Sequence, residues 1–517
     1  MPRKYGKGGN VRRIGFVILI SALVFAVGCG GSGGSSSTTP TTPTTPTTPT
    51  TNAVVAECIQ FLDNSFFFGT VRLADVRMGG TPLGGSAVNV APLIVDAGPP
   101  SVASSGSPSA NVAFTTVQVC TPGTSTCVTI DHVAVDTGSS GLRIPASLLS
   151  SLNLPTVTLN SITPASGGSS NGSEVASSVP IHVMGDTSIP TGNSIPTTCS
   201  QVPTSTGSTT KGTEEDSVTA LGANGLLGVG NYQYDCDYLG FGNACTTTAN
   251  LPPGTYYSCT EGSSGSCTAS AVPLAQQVRN PVSLFTDNNG VILQLPSVPT
   301  GAGGENVPGS LYFGIGTLAN NGLSSSAVVL PLDSNVNDPA WSGFTTVFPA
   351  VGGVSYPNST ENNLLLANNS YSIGSFLDSG SNGIFFLDQP TLKTSYPAMV
   401  DCTNQGYSSW YCPGSTQSFP SVINKAVNGN VSPAPFSVSN AIILFSGSNT
   451  AFSDLAGPNT PQNPGNPSSL QQAADGYFDF GLPFFFGRNV YTAIWGVTPP
   501  STPASGVAVP AGPWWAY

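Results

Sequence analysis

His132-Val-Ala-Val-Asp136-Thr137-Gly138-Ser139-Ser140-Gly141-Leu142-Arg143-Ile144 and Ile373-Gly-Ser-Phe-Leu-Asp378-Ser379-Gly380-Ser381-Asn382-Gly383-Ile384-Phe385-Phe386 share one pattern. Each is an apolar strand, then Asp-(Thr/Ser)-Gly-Ser, one further residue, a glycine and a second apolar strand. The copies lie 242 residues apart, which fits one per lobe of an internally duplicated chain. The residue types suit a carboxyl held at the end of a strand. Glycine lets the backbone approach closely, and the hydroxyls of Thr137, Ser139, Ser379 and Ser381 are expected to donate to the carboxylates. Two such acids facing each other cannot both ionise cheaply, so one proton is shared between them. One member can then deprotonate a water while the other polarises a carbonyl.

The rest of the composition points to an all-β chain. Only 7% of residues are charged, so exposed helical faces have little to be built from, while 61 glycines and 45 prolines punctuate short β-branched and aromatic runs. Five of the 13 basic residues precede position 14, leaving 8 against 25 acidic residues in the body. That balance repels phosphate backbones and argues against nucleic-acid binding. With only two histidines, His132 and His182, and no Gly-x-Ser-x-Gly elbow, a histidine-dependent serine or cysteine hydrolase is disfavoured. His132, four residues before Asp136, reads as a hydrogen-bonded structural histidine. No phosphate loop or dinucleotide fingerprint occurs.

The first 52 residues serve delivery. A basic start and the apolar run Ile14–Val27, about half a bilayer span, read as a signal peptide. It ends Ala26-Val27-Gly28-Cys29, which resembles a bacterial lipoprotein cleavage box and makes Cys29 the lipid-bearing residue; ordinary secretion with an incidental cysteine is the alternative. Residues 30–52, Gly/Ser-rich and then Thr-Thr-Pro repeats, form an extended spacer. Ten cysteines remain. Cys120/Cys127, Cys236/Cys245, Cys259/Cys267 and Cys402/Cys412 each bracket a short loop, and Cys58 and Cys199 are left to pair over a long range. No Cys-x-x-Cys occurs, so zinc is disfavoured and no metal or other cofactor is expected.

The paired Asp-Thr/Ser-Gly turns resemble those of the pepsin-like aspartic peptidases, and more narrowly a group of bacterial lipoproteins carrying pepsin-type motifs. Asn224-Gly-Leu-Leu-Gly228-Val-Gly230 is similar to the strand crossing beneath the first turn in that family, and Phe478-Asp-Phe-Gly481 to its second-lobe counterpart. Ser310–Gly316 is similar to the interlobe strand, and together these landmarks span about residues 112 to 496. The resemblance implies a bilobal, internally duplicated pepsin-like architecture, with an N-terminal lobe over 53–300 and a C-terminal lobe over 301–517. It implies Asp136 and Asp378 as catalytic acids supported by Thr137, Gly138, Ser139, Ser379, Gly380 and Ser381, and an extended polypeptide as substrate.

The chain departs from the family in two places. Arg143 stands where a tryptophan is common, and no Trp, Tyr or Phe occurs from Thr137 through Asn231, so the aromatic flap is missing there. Arg143 either shifts the acids' protonation or forms a salt bridge at the lobe surface. Residues 57–80, with Phe66, Phe67 and Phe68, are the candidate for a flap moved to the N-terminus and stapled by Cys58–Cys199; the alternative is an edge hairpin with core phenylalanines. Residues 161–172, 201–216 and 457–469 read as surface loops from composition. The expected protein is a monomeric, lipid-anchored aspartic endopeptidase of the cell envelope. A catalytically silent binding lipoprotein on the same scaffold is the rival, and a structural envelope protein a third reading.

Overall fold

The computed structural model describes residues 53–60, 65–159, 163–203, 209–238, 242–246, 255–262, 265–335, 338, 340, 342–348, 354–356, 364–366, 369–371, 374–393, 395–402, 407–459 and 477–517. The signal peptide, Cys29 and the Thr-Thr-Pro spacer lie outside the described residues, as does the bend at 61–64.

The protein is all-β. Among the described residues each α-helix is a single four-residue turn, such as Val218–Leu221 and Ala441–Leu444, and no helix is long and apolar enough to cross a membrane. Among the described residues seventeen strands join in one sheet, and smaller two- and four-stranded sheets lie mostly in the second half of the chain. Gly290–Gln294 pairs with both Val307–Phe313 and Asn489–Ala493, and Val307–Phe313 pairs in turn with Val90–Val95. The large sheet therefore crosses the expected boundary at residue 300.

The N-terminal hairpin is integral to this sheet. Val54–Gln60 pairs with Ser65–Met78, and the latter runs along Ser173–Met184 from Gly69↔Met184 to Met78↔Glu174. Side chains alternate between faces of a strand, and both faces here are covered. Phe67 packs with Phe114, Ala134 and Leu226, whereas Phe66 and Phe68 pack with Cys58, Cys199 and Tyr257. The three rings are at most 2% exposed, which is the arrangement of core phenylalanines rather than of rings standing over a groove.

Five disulfides join the expected pairs: Cys120–Cys127, Cys236–Cys245, Cys259–Cys267 and Cys402–Cys412 across short loops, and the remaining Cys58–Cys199 over a long range. Composition misjudged parts of the loop segments. Ser166–Ser170 is an edge strand paired with Ser173–Met184, and Ala456–Pro458 is a buried strand. Gly457 is used there for contact, since a β-carbon on it would lie 2.1 Å from the Ser409 carbonyl oxygen.

Both acidic turns sit in the same four-strand frame. Cys127–Asp136 leads into the first turn and Ser140–Pro145 leaves it, with Gly225–Val229 threaded between them, parallel to the former (Gly228↔Asp136) and antiparallel to the latter. Ser173–Met184 lies parallel on the outer side, Arg143↔His182. Around the second turn, Asp479–Phe480 threads parallel to Phe376–Leu377 and antiparallel to Ile384–Phe386, and Ala456–Pro458 lies parallel outside. The second frame is filled with aromatic rings, Phe386 packing against Phe348, Phe436 and Phe478 at centroid distances of 5.2–6.2 Å.

Candidate active site

The two frames bring Asp136 and Asp378 together, with residue exposures of 0% and 1%. Each acid is held from its own turn in the same way. Gly138 N–H donates to Asp136 Oδ1 at 2.7 Å and the Ser139 hydroxyl to Oδ2 at 2.5 Å. Gly380 N–H donates to Asp378 Oδ1 at 2.8 Å, and Ser381 Oγ lies 3.0 Å from Oδ2. Each glycine also packs under the opposite acid. A β-carbon on Gly138 would lie 2.7 Å from Asp378 Cγ, and one on Gly380 2.6 Å from Asp136 Oδ1. Only a residue without a side chain leaves the carboxyls in contact.

Thr137 and Ser379 do something other than bond the carboxylates. The Thr137 hydroxyl donates to the Leu377 carbonyl and accepts from Ser379 N–H, at 3.2 and 2.9 Å. Reciprocally, the Ser379 hydroxyl donates to the Val135 carbonyl and accepts from Thr137 N–H, at 2.8 and 3.1 Å. These four bonds lash one turn to the other. Their role depends on the opposite turn, so it could not be read from either turn alone.

Burial, then the charge and hydrogen bond of Asp378, pushes the Asp136 carboxyl well above the usual carboxylate range. The Ser139 and Gly138 donors oppose this without cancelling it. The pair therefore keeps one proton at a pH where isolated carboxyls have lost theirs, and that proton belongs to the pair.

Arg143 is neither at a surface nor beside the acids' oxygens. It is fully buried, 2.9 Å from Glu57 Oε1 and 3.3 Å from Asp235 Oδ2, and donates to the Ser140 carbonyl. His182 Nδ1 lies 2.8 Å from the other Glu57 oxygen, and the Tyr256 hydroxyl donates to Asp235 at 2.7 Å. Burial alone would raise the Glu57 carboxyl, but Arg143 and His182 hold it well below its usual range. Burial and the Glu57 charge push Asp235 well above it, against the pull of Arg143. The cluster is thus an ionised Glu57–Arg143 pair beside a proton-bearing Asp235, and it ties the N-terminal hairpin to the strand leaving the first acidic turn. His132 is a separate, half-buried surface feature between Asp96 and Asp131, at 3.2 and 2.9 Å.

A family described as "Protein of unknown function (DUF3443)" matches residues 85–517. The chain belongs to the DUF3443 family. No curated protein matches it. Both acidic turns lie inside the DUF3443 segment, whereas the Val54–Met78 hairpin precedes it and still contributes Glu57 and three core phenylalanines. Among the described residues no cluster of His, Cys, Asp or Glu is arranged to hold a metal ion. Glu57, Asp235, Tyr256 and Asp479 were missed from sequence. The available signal was an acid inside an otherwise apolar strand, as in Val54-Val-Ala-Glu57 and Phe478-Asp479-Phe480.

Proposed function

We propose that this DUF3443 protein is an aspartic endopeptidase with a bilobal, pepsin-like architecture, tethered to the cell envelope through Cys29. The observation that carries the reading is the contact between Asp136 and Asp378, each held by its own glycine N–H and a neighbouring serine; burial and that contact raise the Asp136 carboxyl above its usual range. In such a pair the ionised carboxylate takes a proton from a water. The water oxygen adds to the scissile carbonyl carbon while the protonated carboxyl donates to the carbonyl oxygen. Collapse of the tetrahedral species breaks the C–N bond as the proton taken from water passes to the departing amine, and one hydroxyl hydrogen of the former diol returns to the carboxylate that had donated to the carbonyl oxygen, restoring the shared proton. No metal and no covalent intermediate enter this sequence. The repeated four-strand frame supports the two-lobed reading, since each turn is presented by the same strand arrangement.

The near-complete burial of both acids and the core placement of Phe66, Phe67 and Phe68 favour the second reading, a catalytically silent binding lipoprotein. Cleavage of a diverse peptide library between about pH 3 and pH 7 separates the two, the window in which a shared-proton pair switches. The peptidase reading expects turnover that disappears in both Asp136→Asn and Asp378→Asn. Turnover unchanged in both variants refutes it. Peptides retained but not cut establish the binding scaffold instead.

A further inference from the structure

The two turns are equal in backbone but unequal in one hydrogen bond. Ser139 Oγ donates its hydrogen to Asp136. Ser381 Oγ lies between two carboxylates, 2.6 Å from Asp479 Oδ2 and 3.0 Å from Asp378 Oδ2, and it has a single hydrogen to give. Register identifies what is unusual here. Gly228 is level with Asp136, and the residue two before it is Leu226, buried in the core. Phe480 is level with Leu377, which places Gly481 beside Asp378, and the residue two before Gly481 is Asp479, 1% exposed. An acid has replaced an apolar residue at one of two equivalent positions.

We propose that Asp479 is a positioning residue: it competes with Asp378 for the single Ser381 hydroxyl hydrogen and so leaves the second acid with weaker hydrogen-bond support than the first. The donor count leads there. With the Ser381 hydrogen on the shorter contact to Asp479, an ionised Asp378 would turn a bare oxygen toward the serine lone pairs. Ser381 cannot serve both acids at once, so a hydrogen given to Asp479 is withheld from Asp378. Asp136 meanwhile receives both Gly138 N–H and Ser139 O–H, with no second acid sharing its serine.

Asp479 lies among acidic and apolar neighbours. Its partner strands supply Asp378 and the aromatic and aliphatic side chains of Phe376, Ile384 and Phe385, and Asp136 faces from the opposite turn. The Tyr477 phenol lies two residues before it, ahead of the strand Asp479–Phe480. Arg488, beyond the next turn, stacks on Phe484 and donates to the Phe484 and Pro435 carbonyls.

The assignment deepens the peptidase reading and rests on it for its catalytic meaning, but its test does not. The full chain, labelled with 13C at aspartate carboxyls, is titrated by NMR as wild type, Asp479→Asn and Asp479→Leu, with Asp378→Asn used to assign the signal. Either replacement frees the Ser381 hydroxyl to donate to Asp378 and removes a nearby negative charge. Release of the pair's retained proton should then move to lower pH by about one unit. The leucine variant restores what the first turn has at Leu226, and thermal melts select whichever variant is folded. An unmoved titration in a folded variant overturns the role of Asp479, whatever the activity. If the wild type cleaves peptides, the upper limb of its pH profile should fall with the NMR titration. A shifted titration in a protein that cleaves nothing removes the peptidase reading and leaves the assignment standing.

Discussion

Replacing Arg143 by methionine tests the energetics that hold the N-terminal hairpin to the acidic turn. The methionine fills most of the space but leaves Glu57 buried without its guanidinium partner. Breaking one side of a fully buried ion pair costs about 3–5 kcal/mol, against about 0–1 for an exposed pair. His182, 2.8 Å from the second Glu57 oxygen, remains as a partial substitute and argues for the lower end of that range. The sign with pH follows from Glu57. In the wild type its carboxyl is held below the usual value of 4.5, so the pair contributes stability above that pH and loses it as pH falls. In the variant an unpaired buried carboxyl is raised instead, so the deficit relative to wild type shrinks on acidification. Urea unfolding at pH 7 and pH 4.5 measures both numbers, and Glu57→Gln/Arg143→Met should recover part of the loss at pH 7. A cost below about 1 kcal/mol at pH 7 would place the pair with exposed ion pairs and refute the argument. So would a deficit independent of pH.

Two further outcomes follow from the same structure. Burial and the charge of Asp287 push Glu174 up to about 8, so the native state holds a proton that the unfolded chain releases above its ordinary value of 4.5, and stability falls as pH rises between those values. Glu174→Gln should remove that slope, its melting temperature gaining on wild type from pH 5 to pH 8; parallel curves for the two proteins would contradict this. The Cys58–Cys199 disulfide closes a separation of 141 residues, for which loop entropy gives about 4–5 kcal/mol. The paired serine variant should therefore unfold at markedly lower urea, and mass spectrometry showing either cysteine bonded elsewhere would remove the basis for the estimate.

How much of this was legible in the sequence depended on whether the signal was local. Asp136 and Asp378 announce themselves because a strand ending in Asp-(Thr/Ser)-Gly-Ser constrains a few adjacent residues, and the copy 242 positions away repeats it. Four disulfides were legible for the same reason, their partners being 7 to 10 residues apart. Arg143 was misread because its partners lie 86 and 92 residues away and nothing nearby marks them. Phe66, Phe67 and Phe68 were ambiguous because three consecutive aromatics on a strand must face both ways. Whether both faces are covered depends on what the rest of the chain lays over them. Thr137 and Ser379 were assigned to the carboxylates because they are adjacent to them in sequence, yet each is used by the other's turn.

The frame and its lining do different work. Two similar strand frames deliver two carboxyls with equal backbone support, and that similarity is what brings them into contact. Acid–base chemistry on a carbonyl needs the two to be unequal, one ionised and one protonated. Two equal frames cannot provide that difference, so on the peptidase reading it comes from side chains that differ at equivalent positions. Two such positions stand out. Seven residues after each acid the chain has Arg143 in the first frame, paired with Glu57, and Phe385 in the second, packed on Trp410. Two residues before each threading glycine it has Leu226 in the first and Asp479 in the second. Arg143 is spent on Glu57 and Asp235 within its own buried cluster, whereas Asp479 reaches the pair through one shared hydroxyl, 2.6 Å on one side and 3.0 Å on the other. Under the proposal for Asp479 the two acids differ through the second frame, and substitutions at Asp479 should move the titration of the pair more directly than substitutions at Arg143.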